Sequence, residues 1–129
     1  MTFTPTLSAL ADAWSVSAGG EDEPDWIRLR AYIDYLCSHP EVAAESIATS
    51  PPASGSLLLD NLLAGITEKV ADDYALLRPG WTIEVAPLDH PWEGLGTPRM
   101  RAASAAATPP QLAARRIFIS AASLWRQAK

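Results

Sequence analysis

The sequence predicts a mainly α-helical protein: a small single-domain helical bundle with a short two-stranded β element near the C-terminus. Three observations carry this expectation. Apolar residues recur at helical spacing through two long segments, prolines mark several helix starts, and one five-residue stretch alternates apolar and polar instead. At 129 residues, 48% of them apolar and 19% charged, the chain suits one core better than two.

Thr4-Pro5 offers an N-cap followed by proline at the first helical position, and Leu7, Leu10, Ala11 and Trp14 continue at helical spacing until Gly19-Gly20. The acidic stretch Glu21-Asp22-Glu23 and Pro24 open a second helix, where carboxylates favour the positive end of the helix dipole. Its apolar stripe is Trp26, Leu29, Ile33, Leu36 and Cys37, with Arg30 and Asp34 placed to pair outside, and His39-Pro40 ends it. A short helix over 41–48 would turn Val42 and Ile47 inward. Residues 49–55 (TSPPASG) read as a linker.

Ser56 then reads as the cap of the strongest helix in the chain. Leu59, Leu62, Leu63, Ile66, Val70, Tyr74 and Leu77 form its inner stripe, and Asp60, Glu68, Lys69, Asp72 and Asp73 are expected outside. Arg78-Pro79-Gly80 terminates it. Trp81–Val85 alternates like a half-buried strand, and residues 86–96 form a loop punctuated by proline and glycine. Thr97-Pro98 and Thr108-Pro109 repeat the cap-plus-proline signal and predict two short alanine-rich helices. Ile117-Phe118-Ile119 reads as a second strand pairing with Trp81–Val85, and Ser120 as the cap of a closing turn that carries Leu124 and Trp125.

Charge is unevenly distributed. Residues 97–129 hold six bases and no acid, whereas residues 1–96 hold four bases and all 15 acids, so a net charge of −5 divides into +6 and −11. The acidic body is unsuited to duplex DNA, whose phosphates need Lys and Arg. The basic segment either folds back on the body or meets something acidic, a partner protein or, as the alternative, a nucleic acid. The six bases are interleaved with one stacking aromatic, Trp125, and no helix-turn-helix is recognisable. The longest apolar runs fall far short of the roughly 20 residues that cross a bilayer. The first residues lack the basic and apolar regions of a signal peptide, so no membrane association and a cytoplasmic location are expected.

Catalytic and ligand-binding patterns fare poorly against simpler readings. A single cysteine, Cys37, rules out an internal disulfide, and with two histidines, His39 and His90, the chain is short of ligands for a closed zinc site. Cys37 falls on an apolar stripe, where a thiol acts as a small hydrophobe. Asp89-His90 is the one pairing that keeps an enzyme of unrecognised type open, but no nucleophile motif accompanies it. Gly55-Ser56 before a helix lacks the glycine pattern and lysine of a phosphate loop. Asp72 and Asp73 point to different helix faces and make no dyad. No cofactor and no metal are expected. Trp81, Trp92 and Trp125 either close a thin core or anchor a partner.

One resemblance bears on the partner. Trp81, Pro91-Trp92, Thr108-Pro109-Pro110, Arg115-Arg116, Ile117-Phe118-Ile119 and Leu124 form a pattern within residues 78–126. It resembles the C-terminal part of small bacterial proteins associated with abortive-infection-type nucleotidyltransferase toxins. It covers under half of the chain, and the N-terminal helix-turn-helix of some such proteins is missing, so a repressor role is not expected. The resemblance implies a non-catalytic, antitoxin-like partner in a toxin–antitoxin system. An acid-free segment complements the clustered carboxylates of a nucleotidyltransferase site. The residues expected to contact the partner are Trp92, Arg99, Arg101, Arg115, Arg116, Trp125 and Arg126.

Overall fold

The computed structural model describes residues 7, 10, 26–51, 57–92, 97–120, 124 and 125, and over these the protein is mainly helical. Its core forms around the helix Leu57–Asp73. Leu58, Leu59, the run from Asn61 to Glu68, Val70 and Ala71 are all buried, so this helix is covered on nearly every side. A surface helix needs only one apolar stripe, and one enclosed all round is the centre of a bundle.

The helix Trp26–Ser38 lays Leu29, Ile33 and Leu36 into the same core, as their spacing predicts. Tyr32 lies three residues after Leu29 and four before Leu36, so it shares their face and is fully buried. Its hydroxyl finds Ser46 Oγ at 2.9 Å. That contact ties the helix to the next segment, where Pro40–Val42 forms a 3-10 turn and Ala43–Ala48 an α-helix with Ala43 and Ile47 inward. Pro40 at the first position pre-sets φ for the turn. Leu7 and Leu10 are helical and buried. The expected features at Trp14, Gly19-Gly20, 21–25, 52–56 and the cap Ser56 lie outside the described residues.

The central helix stops earlier than its apolar stripe suggests. Ala75 adopts a left-handed φ of 56°, Ala75 N–H donates to the Asp72 carbonyl at 3.3 Å, and Leu76 N–H to the Ala71 carbonyl at 2.7 Å. This paired closure satisfies two end carbonyls and reverses the chain. Beyond it Leu77 is 93% exposed, so its expected place on the inner stripe is corrected. Glu68, expected outside, is also buried.

The expected β element is corrected too: no strand is present among the described residues. Gly80–Glu84 is a 3-10 helix entered from Pro79, with Thr82 N–H bonded to the Pro79 carbonyl and Val85 N–H to the Thr82 carbonyl. A three-residue repeat inverts the expected alternation, so Thr82 is buried and Ile83 is 82% exposed. Ile117 makes a single parallel bridge, with Trp92 and not with residues 81–85.

The Thr97-Pro98 signal holds: Thr97 Oγ1 accepts from Met100 N–H at 3.2 Å and the helix Pro98–Ala106 follows. The Thr108-Pro109 signal shifts by one, because the next helix is only Pro110–Ala113 and Thr108 Oγ1 instead donates back to the Ser104 carbonyl. Leu112 of this short helix packs on the central helix at Gly65, where a Cβ would stand 2.5 Å from Leu112 Cδ2. The short helix ends on a second left-handed residue, Arg116 (φ 64°), with the same paired closure and with Leu112 and Ile117 both buried. Leu124 and Trp125 return to the core. Among the described residues no helix is long and apolar enough to cross a membrane.

Candidate binding surface

The two adjacent arginines Arg115 and Arg116 meet opposite fates, and the left-handed closure divides them. Arg115 points inward with a side chain 7% exposed. Its Nε donates to Glu68 Oε1 at 2.9 Å, Nη1 to Asn61 Oδ1 at 2.9 Å and to the Val85 carbonyl at 2.7 Å, and Nη2 to the Thr82 carbonyl at 2.7 Å. The planar guanidinium fork can address several acceptors at once, which a lysine ammonium on the same stem could not match in direction. Its seat is a stripe on one face of the central helix, Asn61, Gly65 and Glu68, at offsets of four and seven. Gly65 lies against the arginine stem, where a Cβ would be in ordinary contact with Arg115 Cδ at 3.5 Å.

The network runs outward from Glu68. Arg78 Nη1 stands 3.6 Å from Glu68 Oε2, while its Nε and Nη2 donate to the two oxygens of Asp72 at 3.0 and 2.6 Å. Gln111 Nε2 adds a third bond to Asp72 at 2.8 Å. The Arg78 guanidinium, and after it Gln111, hold the Asp72 carboxyl down at about 2. A groove of about 400 Å³ opens over this cluster, with Ile83 and Pro87 on its wall.

The remaining expected contact residues are dispersed. Arg116 is exposed and its Nη1 donates to the Asp89 carbonyl at 2.6 Å. Arg99 is exposed and Arg101 half-buried on the helix Pro98–Ala106, which buries no residue at all and leaves Met100 59% exposed. Trp92 is half-buried, its backbone joined to Arg116 and Phe118 by bonds of 2.8 Å each. Trp125 is buried, with Lys69 Nζ 5.1 Å from its ring centre. Arg126 lies outside the described residues. The structure therefore brings Arg115 and Trp125 into the interior and leaves Arg99 and Arg116 on the surface.

Trp81, which the sequence leaves between a core residue and a partner anchor, is half-buried with a surface gathered around it. Its indole N–H donates to the Ile47 carbonyl at 2.9 Å, pinning the 3-10 turn to the end of the helix Ala43–Ala48. Trp81 lines a groove of about 450 Å³ together with Ile47, Leu76 and the exposed Leu77. It also lines a groove of about 490 Å³ together with Pro51, Leu57, Val85, Asp60 and Glu84. Leu57, Leu77 and Ile83 are 69%, 93% and 82% exposed, so apolar side chains crowd around one turn of chain. A cluster that forms only when the central helix stops at Asp73 leaves little trace in the linear pattern.

Other expected centres are plain. Asp89 and His90 are exposed. His39 stacks on Tyr35 with ring centres 4.6 Å apart, and its Nδ1 lies 3.1 Å from the Tyr35 carbonyl. Among the described residues no group of three or more His, Cys, Asp or Glu side chains gathers as a metal site. No protein-family model, no curated protein and no solved structure matches the chain.

Proposed function

We propose that the chain is a non-catalytic protein-binding module, and that the partner to test first is a nucleotidyltransferase-type toxin to which it would be the antitoxin-like component. The observation that carries the binding reading is the helix Pro98–Ala106, which has Arg99 and Met100 exposed and no buried residue. A nine-residue helix is marginal in water unless a face of it is packed. With Arg115 committed inside the chain, the contact falls to Arg99, Arg101 and Arg116, with Trp92 joined to Arg116 through the backbone. Arginine beside an apolar side chain is the composition that dominates interface hot spots, and a segment without acids complements a carboxylate-rich site. The toxin identity rests on the resemblance of residues 78–126 alone.

The test is co-expression with a candidate toxin and recovery of a complex. Arg99→Glu is expected to weaken capture and restore toxicity while leaving the melting curve unchanged. Absence of a complex together with unrelieved toxicity overturns the reading.

A further inference from the structure

The groove lined by Leu57 and Trp81 and the helix Pro98–Ala106 are complementary in charge, and each presents apolar side chains. Among the described residues the groove is lined by Trp81, Leu57 and Val85 together with the exposed Glu84 and the half-buried Asp60, and by no base. The helix has the opposite arrangement: Met100 is flanked in sequence by Arg99 and Arg101, and the segment has no acid. Neighbours on a helix are about 100° apart, so a docked Met100 would send the exposed Arg99 to a rim of the groove. Ala103 and Ala107 follow Met100 at offsets of three and seven, so the same exposed face is otherwise small and lets a backbone approach closely.

From these observations we infer that the acid-rimmed groove of one copy receives the basic helix of a second copy, and that two such contacts close a reciprocal dimer. A single head-to-tail contact would propagate, whereas a swapped pair uses each groove and each helix once and leaves none open. Met100 fills the space beside the Trp81 indole, where thioether sulfur packs well against an aromatic edge. Arg99 meets the exposed Glu84. A nine-residue helix offers a small face. Even doubled, the contact belongs with transient interfaces of under about 1,200 Å², so association is weak and concentration-dependent. The inference shares with the proposed function the reading of Pro98–Ala106 as a contact element, but it concerns the purified chain by itself.

Sedimentation equilibrium of the full chain, from micromolar to millimolar concentration in low and high salt, is the measurement. The wild type is expected to dimerise, less so in high salt. Glu84→Arg and Arg99→Glu each weaken dimerisation about tenfold or more, because like charges then face each other across the rim. Both positions are exposed, so melting curves that superimpose on the wild type show that the fold is retained. Mixing the two variants restores dimers, since each groove again meets a helix of opposite charge, and so does combining both changes in one chain. A chain that is monomeric at every concentration overturns the inference, as does a dimer that survives each single reversal unweakened. Capture of a toxin by that monomer would leave the proposed function standing.

Discussion

Arg115→Met is the sharpest perturbation the structure offers. The substitution keeps much of the stem's volume and removes the guanidinium, leaving four acceptors behind: Glu68 Oε1, Asn61 Oδ1 and the carbonyls of Thr82 and Val85. Each buried acceptor left without a donor costs about 1–3 kcal/mol, and the carboxylate more. A plain sum would overshoot, because Arg78 stands 3.6 Å from the far oxygen of Glu68 and the groove above admits solvent. Breaking a buried pair by removing one partner costs about 3–5 kcal/mol, and these two mitigations place Arg115→Met near 3 kcal/mol. Against a domain stability of roughly 5–15 kcal/mol, that is a large fraction. Urea unfolding followed by tryptophan fluorescence and far-UV circular dichroism measures it. Glu68→Leu added to Arg115→Met is expected to recover about 1–2 kcal/mol, since the orphaned carboxylate disappears while the carbonyls stay unpaired. Arg115→Lys should lose more than half of the full cost, because one ammonium cannot reach acceptors on the central helix and the 3-10 turn together. A loss under about 1 kcal/mol for Arg115→Met would refute the idea that this arginine joins those segments.

Three further outcomes follow from particular residues. Ala75→Gly should raise stability by about 1 kcal/mol in thermal unfolding, because only the alanine Cβ opposes the left-handed φ of 56°; a decrease would mean that Ala75 makes a contact of its own. Asp72 is held down at about 2 by Arg78 and Gln111, so its contribution is present above the ordinary carboxyl range and is lost as pH falls from about 4 to 2. As the pair is partly exposed, Asp72→Asn should flatten the acid limb of a pH–stability curve by less than about 1 kcal/mol. Burial pushes the Tyr32 hydroxyl up to about 12, so folding is favoured by its neutral form below pH 10 and that contribution fades as pH rises from 10 through 12. Tyr32→Phe should remove up to roughly 2–3 kcal/mol of that alkaline loss, with Tyr74, also pushed up to about 12, supplying the remainder.

What the sequence determined by itself is local. The stripe Leu29, Ile33 and Leu36 and the stripe Leu59, Leu62, Leu63 and Ile66 are buried as their spacing requires, because periodicity records which face of a helix meets other apolar surface. Thr97 caps its helix because the bond to Met100 spans three residues and needs nothing else. Tertiary structure decided the rest. Trp81–Val85 alternates like a strand, but a strand needs a partner to bond with, and the backbone carbonyls of Thr82 and Val85 are taken by Arg115. The fate of that arginine depends on acceptors 30 to 54 residues away, whereas its neighbour Arg116 turns to the surface. Charge counting treats the two alike, since composition carries no record of which donor will meet acceptors away from water. The polar stripe Asn61, Gly65 and Glu68 was the one local hint, a seat for a buried cation written into an apolar helix. It becomes legible only once Leu112 and the closure at Arg116 deliver Arg115 to it.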